Sequence, residues 1–421
     1  MHEQLKIAVF HNLPSGGAKR ALYGYVEYLT KTGNQVDVFV PSTANEEFLP
    51  LRELVGHVHV FPVPKTLGGS IYSTLKYIPP VVKQISLRNL EKTEQIMANV
   101  INNGPYDVVF SEQDQYTMAP FLLKYLKKPM VFYCQQPLRN DAVSEMIFPR
   151  KKNNIMDSLR GLGSKIVVKR GLNIDKTNSF YSDYTLSNSY FSRESILRMH
   201  GINSHVSYLG VDPEMFKPLE VPEEKFILSV GTFTPEKGHG FLVGSIALID
   251  QEIRPKLVVV SNSSFPPWKT YLEKHAEELG VDMEIKSLIS DDELAVLYNQ
   301  AEMVVYSPYL EPFGLVPLES MACGTPVVAV KEGGVRETVI HKKTGLLIDR
   351  DEELFAEAVT NVLSKEYKRY NMGKKSVETI QNFWTLDHAG ERLLEHLNRV
   401  INKDIQYTKN ISNRNMRNTT I

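Results

Sequence analysis

Two glutamates, Glu311 and Glu319, lie eight positions apart around the start of a predicted helix. A carboxylate at the first position can accept hydrogen bonds from sugar hydroxyls, and one at the second can chelate a ribose diol. Between them, the backbone N–H groups of residues 313–316 open the helix without acceptors inside it, so they suit an anion such as a diphosphate. Two capping or solvated glutamates around an ordinary helix start remain the alternative interpretation.

A lysine and a pair of glycines extend this chemistry. Lys237 is the last residue but one of the loop Gly-Thr-Phe-Thr-Pro-Glu-Lys-Gly over 231–238. Its ammonium can reach a diphosphate there as a point charge. Gly16 and Gly17 lie between a predicted strand and a predicted helix, and residues without side chains let the backbone approach a ligand closely. A tight turn is the alternative interpretation of the glycine pair.

Short apolar runs predict the strands that position these residues. Residues 303–306 and 327–330 are predicted as buried strands on either side of a helix that begins at Leu315. Such a βαβ unit places ligands at the carboxyl ends of its strands. Other predictions are an insertion that is helical over 67–103, a helix over 117–126 and a strand over 206–209. Helix caps are predicted at Ser187-Asn188-Ser189, at Asp351 and at Asp387.

Residues 311–328 carry a longer pattern, Glu-Pro-Phe-Gly-Leu-x-x-Leu-Glu-x-Met-Ala-x-Gly-x-Pro-Val-Val. It resembles the Glu-x(7)-Glu signature of the family-4 retaining glycosyltransferases, which have the GT-B fold. Further similar segments are Gly-Val-Asp-x-x-x-Phe at 210–216, Gly-Gly-x-x-Glu at 333–337 and Thr-Gly-Leu-Leu at 344–347. The resemblance covers roughly 5–401 and is weakest over 41–103.

The resemblance implies an α/β chain with two doubly wound Rossmann-like domains that face each other across a cleft. We therefore expect an acceptor-side domain over 1–216, a linker over 217–225 and a nucleotide-sugar-binding domain over 226–384. A final helix over 385–402 would cross back to the first domain, and a mobile polar tail would follow over 403–421.

The activity that the resemblance implies is transfer of a hexose, with retention, from GDP-mannose or a UDP-hexose to a saccharide or lipid-linked acceptor. Lys237 would offset charge on the leaving diphosphate and Glu311 would position the sugar, so these two residues are the catalytic candidates. Neither a metal nor a cofactor is expected. The implied donor-binding residues are Gly16, Gly17, Thr232, Lys237, Ile289, Glu311, Phe313, Gly314, Leu315, Val316 and Glu319.

Two positions depart from the family pattern. Residues 133–139, Tyr-Cys-Gln-Gln-Pro-Leu-Arg, resemble the Tyr-Cys-His-x-Pro-x-Arg string of bacterial mannosyl-type relatives, which favours GDP-mannose and places Gln135 and Arg139 on the acceptor side. Gln135 can form hydrogen bonds but cannot carry a proton. Thr232 replaces an arginine that the family usually shows near the phosphates. A catalytically inactive GT-B partner or scaffold protein, or another GT-B activity such as an epimerase, therefore remains an alternative.

Composition narrows the class of protein. The chain of 421 residues has 42% hydrophobic and 23% charged residues, and its net charge of -1 argues against a general nucleic-acid partner. Its two cysteines are far apart, which favours a reducing compartment, and neither a signal peptide nor a membrane span is expected. We therefore expect a cytoplasmic protein, and the sequence leaves its oligomeric state open.

One segment, Arg150 to Lys176, is strongly basic. It contains eight lysines and arginines and two aspartates, which gives a net charge of +6. Apolar residues lie between the charged ones. The segment is either a solvated helical face or a surface for an anionic acceptor or an anionic membrane. The second interpretation would place the protein peripherally at the inner face of a membrane.

Overall fold

The computed structural model describes residues 4–64, 86–137, 168–262 and 266–402, which group into two compact units. The first unit holds the described residues up to 208 together with 389–402, and the second unit holds 209–388. This boundary lies upstream of the linker predicted at 217–225, whose last two residues already belong to a strand. The predicted tail over 403–421 lies outside the described residues.

A parallel sheet forms the centre of the first unit. Among the described residues it has seven strands in the order β3-β2-β1-β4-β5-β6-β7. These strands are β1 (Lys6–Asn12), β2 (Gln35–Pro41), β3 (His57–Phe61), β4 (Val108–Asp114), β5 (Met130–Tyr133), β6 (Tyr184–Ser187) and β7 (His205–Val206). The chain winds outward from β1 to β3 and then returns to β4 beside β1. The sheet is therefore doubly wound, with its switch point between β1 and β4.

Helices join the strands of the first unit. They are α1 (Gly17–Lys31), α2 (Leu87–Asn103), α3 (Leu122–Tyr125), α4 over residues 168–179, and α5 (Tyr190–His200). Helix α1 buries Leu22, Tyr25, Val26 and Leu29, which recur at helical spacing and face the sheet. The predicted cap of α5 is confirmed, because the Ser189 hydroxyl accepts a hydrogen bond from the N–H of Ser192 at 2.9 Å.

The second unit repeats the same winding. Its described residues form a parallel sheet of six strands in the order β10-β9-β8-β11-β12-β13. The strands are β8 (Glu224–Val230), β9 (Lys256–Val260), β10 (Met283–Lys286), β11 (Ala301–Tyr306), β12 (Val327–Val330) and β13 (Gly345–Ile348). The helices are α6 (His239–Ala247), α7 (Pro266–Glu278), α8 (Asp291–Gln300), α9 (Leu315–Ala322), α10 (Val335–Thr338), α11 (Glu352–Leu363) and α12 (Glu366–Thr379). The switch point lies between β8 and β11.

The last helix, α13 (Leu386–Ile401), packs on the first unit through residues 389 onward. A side chain at Gly390 would lie 2.1 Å from the ring of Tyr28 on α1, so only glycine fits there. Nδ1 of His396 lies 3.0 Å from the hydroxyl of Tyr184 on β6. The predicted cap at Asp387 is wrong. The Thr385 hydroxyl accepts the hydrogen bond from the N–H of His388 at 3.3 Å, and Asp387 lies inside the first turn.

The helix predicted over 117–126 is also wrong over most of its length, since only α3 is helical. The Asp114 carboxylate accepts hydrogen bonds from the N–H groups of Tyr116 and Thr117 at 2.6 and 3.0 Å. This side chain therefore takes donors that a helix would have used, and it builds a turn instead. Met118 follows with a φ of +59°, which a helix does not allow.

Two other segments of the first unit differ from prediction, and a third prediction is confirmed over its described part. Strand β3 was not predicted, although it pairs in parallel with β2 at the edge of the sheet. The strand predicted over 206–209 is shorter and covers only β7. Of the predicted helical insertion, 67–85 lies outside the described residues and 87–103 is helix α2.

Candidate active site

The two residues predicted as catalytic, Lys237 and Glu311, form an ion pair. The Lys237 ammonium donates a hydrogen bond to Oε2 of Glu311 at 2.9 Å, and both side chains are partly buried. Lys237 follows the carboxyl end of β8, and Glu311 follows the carboxyl end of the neighbouring strand β11. The pair therefore lies at the switch point of the second sheet, where doubly wound folds bind their ligands.

Backbone contacts hold the two loops of this pair together. The N–H of Tyr309 donates to the carbonyl of Glu236 at 2.8 Å, and the Ser307 hydroxyl donates to the carbonyl of Gly238 at 3.0 Å. Gly238 has a φ of +73°, and a Cβ there would lie 2.0 Å from the Ser307 carbonyl oxygen. Only glycine permits this approach, so Gly238 fixes the distance between the two loops.

Arg350, which sequence analysis did not single out, clamps the loop that carries Glu311. Its guanidinium donates to the carbonyls of Ser307 and Pro308 at 3.0 Å and forms a two-pronged ion pair with Glu332 at 2.7 and 2.9 Å. It also lies 3.7 Å from the ring centre of Tyr309. A planar guanidinium is the side chain that satisfies all these contacts at once.

A glycine pair supports the same loop from the other side. The N–H of Gly334 donates to the carbonyl of Glu311 at 2.7 Å. A Cβ at Gly333 would lie 2.2 Å from that carbonyl oxygen, and a Cβ at Gly334 would lie 2.2 Å from the carbonyl of Pro312. The Gly-Gly turn over 333–334 therefore lets its backbone pack directly against the backbone of Glu311 and Pro312. The role of the two glycines is packing.

Helix α9 begins directly after this loop. Gly314 is its N-terminal cap residue with a φ of +101°, and the N–H groups of Leu315 and Val316 have no acceptor within their own helix. Phe313 is buried, and its ring centre lies 5.8 Å from that of Trp384. The helix start can therefore serve an anion with its backbone, while Phe313 contributes packing.

Glu319 lies in the second turn of α9 and is 6% exposed. Its Oε2 accepts a hydrogen bond of 2.7 Å from the hydroxyl of Tyr298 on α8. This partner was not predicted. The bond fixes the orientation of the carboxylate, as a residue that chelates a diol would require.

The two remaining predicted donor residues of this unit lie at its surface. Thr232 is exposed and Ile289 is half-buried. Ile289 follows Leu288, which is 85% exposed and has a φ of +57°. Both loops follow strands of the second sheet, β8 and β10, at the carboxyl edge that also carries Lys237 and Glu311.

The predicted glycine loop of the first unit lies between β1 and α1. Gly16 has a φ of +139° and Gly17 begins the helix, and both are exposed. Sequence analysis missed a cluster in which the buried His11 and Lys19 and the half-buried Glu46 contact one another. Burial lowers the pKa of Lys19 and lowers that of His11 to about 4. The cluster ties the end of β1 to the helix that follows the glycine loop.

Gln135, predicted on the acceptor side, is buried beside Glu112 on β4. Its amide donates to the two carboxylate oxygens at 3.1 and 3.3 Å, and burial raises the pKa of Glu112 to about 8. No sequence pattern pointed to Glu112. The other acceptor-side residue, Arg139, lies outside the described residues, as does most of the basic segment at 150–167. The rest of that segment belongs to α4, where Asp175 is buried and accepts a hydrogen bond from the N–H of Ala119.

Comparison with known proteins places this geometry in a family. The family model described as glycosyl transferases group 1 matches residues 211–379. The D-inositol 3-phosphate glycosyltransferase of Corynebacterium efficiens is 36% identical over 40% of this chain, and the match spans only 41% of that relative. The α-1,3/1,6-mannosyltransferase ALG2 of Rhizomucor pusillus is 33% identical over 93% of this chain and 91% of its own length. The chain belongs to the group 1 glycosyltransferases.

The fold of this group 1 glycosyltransferase has counterparts among solved structures. Sucrose-phosphate synthase of Thermosynechococcus elongatus superposes with a TM-score of 0.72 at 20% identity, covering 95% of this chain and all of that one. The predicted fold class, two doubly wound Rossmann-like domains of the GT-B type, is confirmed. Within the described ranges, every helix is too short or too polar to span a bilayer.

Proposed function

We propose that this protein is a retaining mannosyltransferase that uses a nucleotide diphosphate sugar, GDP-mannose in the first instance, and a lipid-linked saccharide acceptor. The observation that carries the proposal is the contact of 2.9 Å between Lys237 and Glu311. It brings a cation for a diphosphate and a carboxylate for sugar hydroxyls to one point at the carboxyl ends of β8 and β11. The start of α9 follows Glu311 closely in the chain.

Each group has one task in the proposed reaction. As the glycosidic bond breaks, negative charge grows on the diphosphate, and Lys237 with the N–H groups of Leu315 and Val316 stabilises it. Glu311 then exchanges its contact with Lys237 for hydroxyls of the donor sugar. Glu319, held by Tyr298, accepts hydrogen bonds from the ribose. The departing phosphate itself assists the acceptor hydroxyl, which accounts for retention.

The choice of mannose rests on two similarities. ALG2 of Rhizomucor pusillus, a mannosyltransferase by name, is similar over nearly the whole chain. The string over 133–139 resembles that of mannosyl-type relatives. The inositol phosphate glycosyltransferase of Corynebacterium efficiens matches over less than half its length, so it supports the family and not a substrate.

The test is turnover of GDP-mannose and UDP-glucose with a panel of lipid-linked and soluble saccharides, followed by NMR of the product's anomeric proton. We expect GDP-mannose to react at least about tenfold faster than UDP-glucose, with an α-linked product. Glu311→Gln serves as the matched inactive control. If neither donor reacts or hydrolyses, although thermal shift shows that one of them binds, the protein is the inactive GT-B scaffold that Thr232 and Gln135 suggested.

A further inference from the structure

Four lysines of the second unit line one shallow pocket that is separate from the proposed donor site at Lys237 and Glu311. The pocket has a volume of about 220 Å³ and is lined by Lys342, Lys343, Tyr367, Lys368, Asn371, Met372 and Lys375. We call it the lysine pocket. Two of its lysines lie in the turn before β13 and the other two lie on α12.

The two elements of the lysine pocket are fixed to each other. Ser376 of α12 is buried, and its hydroxyl donates to the carbonyl of Thr344 at 3.1 Å, directly after the lysine turn. The turn itself is closed by the N–H of Lys342, which donates to the carbonyl of Gly345 at 2.7 Å. The lysines therefore meet because the backbone holds them there, against their mutual repulsion.

The charge of the lysine pocket is not neutralised by the protein. Within the described part of the chain, Lys342, Lys343, Lys368 and Lys375 take part in no ion pair, and no carboxylate lines the pocket. The acidic residues of α12, Glu366 and Glu378, line a different depression on that helix. Since the whole chain has a net charge of -1, this concentration of positive charge is local and not a result of a basic composition. Such a site attracts a multivalent anion.

An aromatic ring beside the lysines indicates which anion. Tyr367 lines the lysine pocket and is 81% exposed. A tyrosine ring has an apolar body and a polar tip, so it is stable at the level of lipid headgroups. Lysines next to such rings bind anionic headgroups and leave the rings at the interface. A polyanion in solution would gain little from this exposed phenol.

We propose that the lysine pocket with Tyr367 docks the second unit reversibly on an anionic phospholipid surface, with a headgroup phosphate in the pocket. The pocket lies at the amino end of β13, whereas Lys237 and Glu311 follow the carboxyl ends of β8 and β11. In a parallel sheet the amino ends of the strands lie on one side and the carboxyl ends on the opposite side. Docking through the lysine pocket therefore leaves the proposed donor site of the same unit uncovered.

The test compares two variants of equal charge in sedimentation with vesicles at low salt. One changes Lys342, Lys343, Lys368 and Lys375 to Ser. The control changes Lys256, Lys269, Lys274 and Lys286 to Ser, four lysines of the same unit that already pair with glutamates. Both variants keep the basic segment at 150–176. A lysine near an anionic surface contributes roughly fivefold in affinity. The first variant should therefore lose on the order of 10²-fold for phosphatidylserine–phosphatidylcholine vesicles, and the control about twofold at most.

A second variant keeps the proposal open to refutation if the first does not fold. Lys342→Glu with Lys343→Glu alters only the exposed turn, and it should also abolish binding to the anionic vesicles. Equal binding of the wild-type protein to pure phosphatidylcholine vesicles would overturn the proposal. So would unchanged binding of the double variant. Inorganic pyrophosphate is the arm for a soluble anion. One outcome is that pyrophosphate raises the melting temperature of the wild-type protein and not that of the variant without the four lysines. If that is the result and anionic vesicles do not bind, the pocket serves a soluble phosphate instead of a membrane.

Discussion

At the scale of single residues, the proposed role of Lys237 is to offset the charge that grows on the diphosphate in the transition state. It contacts Glu311 at 2.9 Å, so a diphosphate must compete with a carboxylate for it. We predict that Lys237→Ala lowers kcat by roughly 10²-fold or more, because charge on the leaving group is then met by backbone N–H groups alone. Steady-state kinetics with GDP-mannose checks this.

The control for Lys237 is Lys256→Ala, which removes a half-buried lysine of the same unit that pairs with Glu284. Its kcat should stay within about twofold of wild type, as expected for a surface ion pair. The double variant Lys237→Ala with Glu311→Gln should lose less than the product of the two single losses, since the pair acts together. Near-native turnover of Lys237→Ala would show that another cation serves the phosphates.

Glu112 is a second residue whose surroundings dictate a measurable effect. Burial raises its pKa to about 8, from the value of 4.5 that is ordinary for a glutamate. The folded state therefore keeps a proton that the unfolded state loses, and stability falls as the pH rises from 4.5 to about 8. The slope is at most about 1.4 kcal/mol per pH unit. Glu112→Gln cannot ionise. We predict that its difference from wild type in free energy of unfolding grows in its favour as the pH rises through this range, and stays constant above it.

Urea unfolding midpoints at about pH 5, 7 and 9 test the role of Glu112. Glu47→Gln is the matched control, because Glu47 is an exposed glutamate of the same unit. Its difference from wild type should stay constant with pH. If the difference between Glu112→Gln and wild type is also constant, Glu112 is ionised in the folded protein and its burial is compensated.

Sequence analysis found the charged residues that a spaced motif marks and missed those that only folding brings together. Glu311 and Lys237 were predicted, and they do meet. Tyr298, which is 21 residues from Glu319, and Glu112, which is 23 residues from Gln135, belong to no local pattern. Their selection depends on which strands and helices become neighbours, and that information is not local.

At the scale of elements, the loop between β11 and α9 depends on one arginine. Arg350 comes 43 residues after Ser307, yet it satisfies two carbonyls of that loop and the carboxylate of Glu332. A lysine cannot make these contacts together, because it has a single ammonium group and lacks the planar set of N–H donors of a guanidinium. We predict that Arg350→Lys lowers kcat/KM about 10- to 100-fold as Glu311 shifts, and lowers the free energy of unfolding by about 1–3 kcal/mol.

Arg254→Lys is the matched control for this clamp. Arg254 also donates to backbone carbonyls, among them those of Ile249 and Gly280, but it lies away from the loop that carries Glu311. This variant should lose stability and keep kcat/KM. Donor affinity from calorimetry separates binding from chemistry. An Arg350→Lys enzyme with native kcat/KM would mean that Gly333 and Gly334 hold the loop without the arginine.

Prediction of the elements succeeded where burial is complete on both faces. Strands such as β11 and β12 are buried runs of valine and methionine, and a parallel sheet covered by helices requires that pattern. It failed at β3, which lies at the edge of the sheet and is only partly buried. It failed again after β4, where the carboxylate of Asp114 makes a turn that helix periodicity does not reveal.

At the scale of the whole molecule, both units contain histidines whose pKa is lowered by burial. Burial lowers the pKa of His11 and of His396 to about 4 in the first unit, and that of His239 to about 3 in the second. In the unfolded chain these rings take up protons near pH 6.5. Just below this pH the unfolded chain therefore binds more protons than the folded chain. Each histidine therefore destabilises the fold as the pH falls from about 6.5 toward 4, by up to about 1.4 kcal/mol per pH unit.

We predict that replacing one of these histidines by glutamine makes the pH dependence of unfolding less steep by up to one proton between about pH 4 and 6.5. Urea midpoints followed by circular dichroism measure this for His11→Gln and His396→Gln. Tryptophan fluorescence serves for His239→Gln, because Trp268 and Trp384 both belong to the second unit. The exposed His57 on β3 supplies the control, and His57→Gln should keep the wild-type slope. Equal slopes in all four variants would mean that protonation of other groups governs acid unfolding.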